Sequence, residues 1–531
     1  MTQSIRSRAA APVSASVAVA IALASCGSGA APAATAQVPK SHTLNLSFLQ
    51  DPGQPPDPAV FYAGQGLLLQ DNMYDGLVRY AGGTADRRIV SDLATSWTVS
   101  TDQTTYTFQL RKGVVFHDGT AFTSAAIAPS FARDTAVNGG PAYMAQAVAS
   151  VKTPDPYTAV VTLNQPNSIF LDYLASAYGP RMYSPTGLAA HAGTDQDQTY
   201  LQTHDLGSGP YQLTEAKVGV KYQLQAFPGY WGAKPYYTTV NVPVIDNFNT
   251  QELEFNNGDV AAILHDLTTP AITSYQANPK VKLYSLPTVE SEYLYVNPSS
   301  SFLTTAAHRE TLLHAINLNQ LTQQVYPHVG SVGAQIYPSD LVPTTLAKQS
   351  NTFDQAALKK LVSSLPPGQR AFTIGYDTSA PSDQLIASIL TDELDQAGLQ
   401  VRSIGYQTST IYGWAPPGNV PADAPDLLLE VVWPDAISAY QWAHIAWAPQ
   451  GGLNIFHCQV PNLDGQANQA VATNDTALFG KVGDEATASG CWLNMVKRND
   501  VFVAQPWLKG LTQGHVVADP YTVNLAGLFP G

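Results

Sequence analysis

A serine held between two glycines, Gly207-Ser208-Gly209, together with eleven histidines and three cysteines, are the residues of this chain with the means for covalent or metal chemistry. A nucleophilic serine needs a neighbouring base to take its proton. No His-Glu-x-x-His, Cys-x-x-Cys, Gly-x-Ser-x-Gly or phosphate-loop spacing accompanies this one. The histidines are scattered without ligand spacing; His444, His457 and Cys458 come nearest to a cluster. The expectation is a protein with no catalytic residues, no cofactor and no metal, so not an enzyme.

The cysteines point instead to export. Arg6 and Arg8 precede an apolar run, residues 9–24, that is too short to span a bilayer and fits a signal segment. Leu23-Ala24-Ser25-Cys26 at its end resembles the lipobox of bacterial lipoproteins, which implies lipidation of Cys26 and removal of residues 1–25. The alternative is ordinary secretory cleavage at a small residue such as Ala24. Acyl chains on one residue would anchor the protein to a membrane, and the Gly-, Ala-, Ser- and Pro-rich stretch that follows reads as part of a flexible tether, residues 26–42. Outside the cytoplasm, the two remaining cysteines, Cys458 and Cys491, are expected to pair, the alternative being two buried thiols.

The body must position whatever these ends serve. The chain has 531 residues, 45% hydrophobic and 12% charged, ample for large buried cores. Its net charge is −14, and cleavage would remove two arginines and no acid, which argues against nucleic acid as a partner. Alternating patterns predict strands over 43–49, 97–99, 105–111, 113–116, 157–163, 211–213, 221–226 and 239–245, then a helix over 250–256 ending at Gly258. The second half predicts a helix over 304–318 and a strand over 371–376. A helix carrying Leu385, Ile386, Ile389, Leu390 and Leu394 follows, closed by Gly398, and then strands over 399–404 and 426–432. Strand–helix–strand order is the signature of an α/β unit.

Ordered blocks along the first 320 residues resemble the extracytoplasmic solute-binding proteins of peptide/nickel ABC importers, family 5. They are Asp71-Asn-Met-Tyr-Asp-Gly-Leu-Val78, Ile89-Val-Ser-Asp-Leu-Ala-Thr-Ser-Trp97, the stretch from Tyr106 to Thr123 with Phe116-His-Asp-Gly119, Gly207-Ser-Gly-Pro-Tyr211, Tyr230-Trp-Gly232, Asn257-Gly-Asp259, Tyr293-Leu-Tyr-Val-Asn297 and Ala315-Ile-Asn317. His308-Arg-Glu310 replaces the family's usual Asp-Val-Arg run, and Pro129 falls inside a helix expected after Thr123. The resemblance implies an α/β fold of the two-lobed periplasmic-binding-protein type (type II, cluster C) with a hinge and an interlobe cleft. Lobe I would cover 43–290 with a subdomain, lobe II 291–500, and a C-terminal segment, 501–531, would return to lobe I. Residues 291–296 and 501–506 would make the crossings. Most of the family blocks would be structural, with Gly209 in a turn and Trp97, Phe108 and Phe116 in the core.

Residue by residue, the resemblance reaches the ligand at Val431-Val-Trp-Pro-Asp-Ala-Ile437. Asp435 stands where peptide-binding members carry an Asp that meets the ligand's ammonium, and Trp433 would form a pocket wall. A buried ammonium needs such a charge partner; the alternative is that Asp435 caps the following helical turn. Asp51 and Gln54, after the first strand, and Trp507, after the return crossing, are further candidate contacts. No Arg or Lys stands out as a clamp for a peptide carboxylate. The expected function is capture of a small ligand, an oligo- or dipeptide, by an exported, lipid-anchored monomer that delivers it to an ABC permease complex at the outer face of the cytoplasmic membrane or in the periplasm. Sugars, opine-like conjugates, haem and metal chelates are alternative ligands. The rival readings are a surface hydrolase using Glu430 and Asp435, and a sensing lipoprotein that takes no part in transport.

Overall fold

A computed structural model describes residues 41–83 and 87–531. The signal segment, Cys26 and the tether to residue 40 lie outside them. Five sheets organise the described chain. In the first lobe, strand Thr43–Asn45 pairs in parallel with Thr239–Pro243, which continues antiparallel to Lys221–Ala226 and then to Tyr211–Lys217. A second four-stranded antiparallel sheet, Ala94–Val99, Thr105–Leu110, Thr158–Leu163 and Val148–Asp155, is separate from the first but comes from the same part of the chain. Period-two burial explains both: Tyr106, Phe108 and Leu110 point inward from one strand, Ala159, Val161 and Leu163 from another.

The second lobe is the α/β part. Strands Ala371–Asp377 and Gln400–Tyr406 are parallel neighbours joined by helix Pro381–Gln396, and Leu427–Val432 lies parallel on the other side of the first. Ile386, Leu390 and Leu394 bury one stripe of that helix against the sheet, and Gly398, at φ +99°, ends it with a turn that a side chain would strain. Leu427–Val432 is buried at every position, as a central strand covered on both faces should be.

Two long antiparallel strands, Lys282–Val296 and Trp492–Ala504, connect the lobes and pair with each other from end to end. At one end Tyr284, Leu286, Phe502 and Ala504 belong to the core of the first lobe. At the other, Leu294, Val296, Leu493, Met495 and Val496 belong to the core of the second. The ladder is broken midway, between Pro287 and Ser291, and again between Glu292 and Tyr293. The chain after residue 504 stays with the first lobe: Trp507, Leu508, Leu511, Val523, Leu525 and Leu528 join its core, and Leu508–Lys509 pairs with Phe529–Pro530.

Several family blocks converge in space. The buried Asp75 carboxylate accepts hydrogen bonds from the Ser208 hydroxyl (2.8 Å) and the Trp231 indole N–H (2.8 Å), tying three blocks together. His117 pairs with Asp205 and contacts the Gly209 carbonyl at 3.0 Å. Gly207 and Gly209 press on the Met73 backbone so closely that an added Cβ would lie 2.1 Å from the Met73 carbonyl oxygen at the first and 2.6 Å from its carbonyl carbon at the second. Ser208 is therefore a buried strut, its hydroxyl committed to Asp75.

Some expectations need correction. The helix expected over 304–318 is two, Ala306–Leu313 and Leu318–Val325, because Asn317 caps the second by accepting from the Gln320 N–H at 3.1 Å. Residues 113–116 form no strand; the segment turns at Gly113 and Gly119, both at positive φ, and keeps a single bridge, Val115 to Ala121. The first strand stops at Asn45 and resumes as one bridge from Phe48 to Val244. Pro129 interrupts nothing. It falls in the first turn of helix Ile127–Val137, where its missing N–H has no helical acceptor to lose.

Candidate functional site

The lobes enclose a cavity of 1160 Å³, lined from the first lobe by residues such as Gln54, Tyr62 and Tyr143, and from the second by Glu430, Trp433 and Asp435. That is above the range of about 300–1,000 Å³ common for small-molecule pockets, so there is room for a ligand larger than one amino acid. Among the described residues its lining holds seven carboxylates against one guanidinium, Arg498, and no lysine.

Asp435 follows the central strand Leu427–Val432, whose apolar side chains anchor it and send its end toward the opposite lobe. It is buried (7% exposed), and one carboxylate oxygen accepts from the hydroxyls of Tyr62 (2.5 Å) and Tyr143 (2.7 Å) and from the Gln441 amide (3.1 Å). Its carbonyl accepts from the Ser176 hydroxyl. Burial pushes its pKa up to about 6, opposed by the Tyr62, Tyr143 and Gln441 hydrogen bonds. Asp435 caps no helix: Ser438 does that, accepting from the Gln441 N–H at 3.4 Å. No cation lies within ion-pair distance of its carboxylate among the described residues.

Trp433 also lines the cavity. Its indole N–H donates to Tyr178 (3.2 Å), and its ring sits 5.3 Å from that of Tyr521. Asp51 and Gln54 are at the rim, with their acceptors already engaged. Asp51 takes the N–H groups of Gly53 (2.8 Å) and Gly219 (2.6 Å) and the Tyr222 hydroxyl (3.0 Å), and Gln54 takes the Tyr62 N–H (2.7 Å). Both shape the loop that carries Tyr62. Trp507 is the correction: it is absent from the lining and packs in the first-lobe core, because the return strand ends at Ala504 and turns its next aromatic inward. The structure thus brings Asp435, Trp433, Asp51 and Gln54 around one cavity and leaves Trp507 outside it.

Two groups escaped the sequence reading. Arg498 comes from the broken middle of the hinge ladder and lines the cavity. Its guanidinium lies 5.4 Å from the Tyr326 ring centre, and its Nε is buried with no hydrogen-bond partner. Glu290, opposite it in that break, is buried, and its pKa is pushed up to about 7, mainly by desolvation. Only the polar run 497–500, set inside a mostly apolar strand, signals Arg498 in the sequence. Nearby, Asp500 lies 3.5 Å from both His265 and His515; burial works against its charge, but the two histidines hold its pKa down at about 2.

Cys458 and Cys491 are joined in a disulfide, Cα atoms 6.4 Å apart, which removes Cys458 from any metal set. His457 contacts the Trp414 carbonyl at 3.3 Å, and His444 lines the cavity with its pKa lowered by burial. Among the described residues no group of three or more His, Cys, Asp or Glu side chains is placed to hold a metal ion, and no helix is long and apolar enough to cross a membrane.

Comparison with known proteins matches these features. Residues 88–449 fit the model of the bacterial extracellular solute-binding proteins, family 5. The probable D,D-dipeptide-binding periplasmic protein DdpA of Escherichia coli (strain K12) is 28% identical over 373 residues, 70% of this chain and 71% of its own. The nickel-binding periplasmic protein of the same organism is 25% identical, over 66% of this chain and 69% of its own. The crystal structure of NikA from Brucella suis with Fe(III)-EDTA superposes with a TM-score of 0.79 at 21% identity, over 92% of this chain and all of that one. DppA from Helicobacter pylori, solved with the peptide STSA, gives 0.76 at 19%, over 92% of this chain and 98% of that one. Proteins of this kind bind solutes and are not enzymes, which disposes of the hydrolase reading. With a family model covering most of its length and the two-lobed α/β fold to match, the chain belongs to the bacterial extracellular solute-binding proteins, family 5.

Proposed function

We propose that this protein captures a peptide between its lobes and delivers it to an ABC permease, working as a monomer held at the outer face of the membrane by lipid on Cys26. The observation that carries the peptide reading is Asp435, a buried carboxylate at the wall of the interlobe cavity. A peptide's ammonium would take the place of the tyrosine hydroxyls as its partner, and the charge pair would offset the desolvation that now raises its pKa. Arg498 is the candidate clamp for the carboxylate end. Main-chain hydrogen bonds and ordered water would accommodate varied side chains. Relatives named for dipeptides support this choice among solutes.

The lobes close because only the closed form touches the ligand from both sides, so ligand shifts the balance by its differential affinity. Mass spectrometry of solutes released from purified protein should find peptides, and small-angle scattering should show compaction when they are added back. Recovery of a solute without a free amine, or scattering unchanged by every peptide tried, would refute the reading.

A further inference from the structure

We propose that the second-lobe wall of the cavity, at Glu430 backed by Glu292 and Asp383, receives a cationic group of the ligand, a guanidinium or a primary ammonium. This rests on the reading that the cavity holds a solute and goes beyond it by naming a second charge on that solute. Glu430 lies in the central strand, beside Tyr293 in the ladder and next to the end of Ala371–Asp377. It lines the cavity, is 3% exposed, and its Oε1 has no hydrogen-bond partner. The Tyr295 hydroxyl, Glu292 Oε1 and Asp383 Oδ2 are likewise buried and unpartnered.

Of the four, Glu430 alone lines the cavity; its unpartnered Oε1, with three more unpartnered oxygens in the layer behind it, is a costly arrangement for an ordinary core, where such atoms are nearly always satisfied. What Glu430 lacks is an opposite charge at the cavity wall. A guanidinium brings five N–H groups in a planar fork and an ammonium three, each with positive charge. Among the described residues no ion pair involves Glu430, and Arg498 on the hinge ladder acts on Glu292 and Asp383 instead. A metal ion would need a ligand set that this wall does not form.

The groups facing Glu430 from each packed element are Asp377, Glu292 and Tyr295 from the neighbouring strands, Asp383 from helix Pro381–Gln396 and Tyr412 from helix Thr408–Tyr412. Burial, then Asp377 and Glu292, hold the Glu430 carboxyl well above the usual range, and burial and Glu292 do the same for Asp383. An incoming cation reverses that balance, so Glu430 gives up its proton to solvent as the charge pair forms.

Calorimetric titration of the purified protein with Ala-Arg, Ala-citrulline and agmatine, near neutral pH in two buffers of different ionisation enthalpy, tests this. Ala-Arg should bind more tightly than its neutral isostere by about tenfold or more, with proton release, and Glu430→Gln should abolish both the preference and the release. Far-ultraviolet dichroism should stay at the parent signal and Tm should not fall, since the substitution keeps the shape and removes a buried acid whose raised pKa costs stability near neutral pH. Equal affinity for Ala-Arg and Ala-citrulline would overturn the cation site and leave peptide capture standing. Binding of agmatine, lost in Glu430→Gln, with no peptide bound would establish the cation site and overturn peptide capture. A preference that survives Glu430→Gln, or no binding of any of the three, would overturn the site.

Discussion

Two carboxylates five positions apart face the same cavity in opposite circumstances. Asp435, beyond the end of its strand, reaches across to the other lobe and gathers three side-chain donors. Glu430, inside the strand, has none on Oε1 and stands among other acids. Position on the strand accounts for the contrast: a strand end can meet loops of the opposite lobe, whereas a mid-strand side chain meets the strands and helices of its own lobe. The first acid is a lobe-to-lobe contact already made, and the second is an unmet demand within one lobe.

The largest expected effect is at Asp435. Asp435→Ala should weaken binding of Ala-Ala by about a hundredfold or more, as truncating one partner of a buried charge pair generally does, while dichroism stays native. Retained affinity in calorimetry would remove it from the site. Arg498→Gln should weaken Ala-Ala by about tenfold or more and leave the C-terminal amide of the same peptide almost unaffected. Equal losses for acid and amide would show that Arg498 only braces the hinge.

Acidity separates the two acids further. With its pKa at about 6, Asp435 is charged above that pH and neutral below it, so affinity for Ala-Ala should fall as the pH drops from 7 toward 5, in the range of that pKa. Stability moves the other way. Because Asp435 and Glu290, at about 6 and about 7, bind protons more readily folded than unfolded, lowering the pH through this window should raise Tm. Asp500, at about 2, adds stability that persists above the ordinary Asp range and is lost only in stronger acid. A Tm that falls steadily from pH 7 to 5 would contradict these assignments. The smallest effect on binding should come from replacing both Cys458 and Cys491 by Ser. Opening a loop of 33 residues should cost about 3–4 kcal/mol of stability in the chain-entropy model and leave both ends of the cavity working, as Ala-Arg titration would show.

Much of the fold was readable because its strands alternate and its second-lobe helix carries one clean apolar stripe. The family pattern singled out Asp435 and Trp433, which do line the cavity, but gave nothing of their surroundings. Asp435 meets Tyr62 and Tyr143 from 373 and 292 residues away, pairings that no local periodicity encodes. Arg498 was missed because the return strand begins at Trp492, earlier than the apolar run at 501 suggested, and its polar middle reads as a loop. The outgoing strand hid likewise: Pro287 interrupts a segment that nonetheless pairs on both sides of the break in register. Trp507 misled because an aromatic after a crossing looks the same in sequence whether it faces ligand or core.

The path of the chain after residue 504 sets an order of assembly. The first lobe needs strand Thr43–Asn45 and the pair Leu508–Lys509 with Phe529–Pro530, segments from opposite ends of the polypeptide. The second lobe's core draws mainly on the contiguous stretch between them. As synthesis releases the chain from its N-terminal end, the second lobe can consolidate first while its companion waits for the last segment to emerge. A truncation before residue 508 should therefore leave the second lobe's core formed and the first lobe vulnerable to protease.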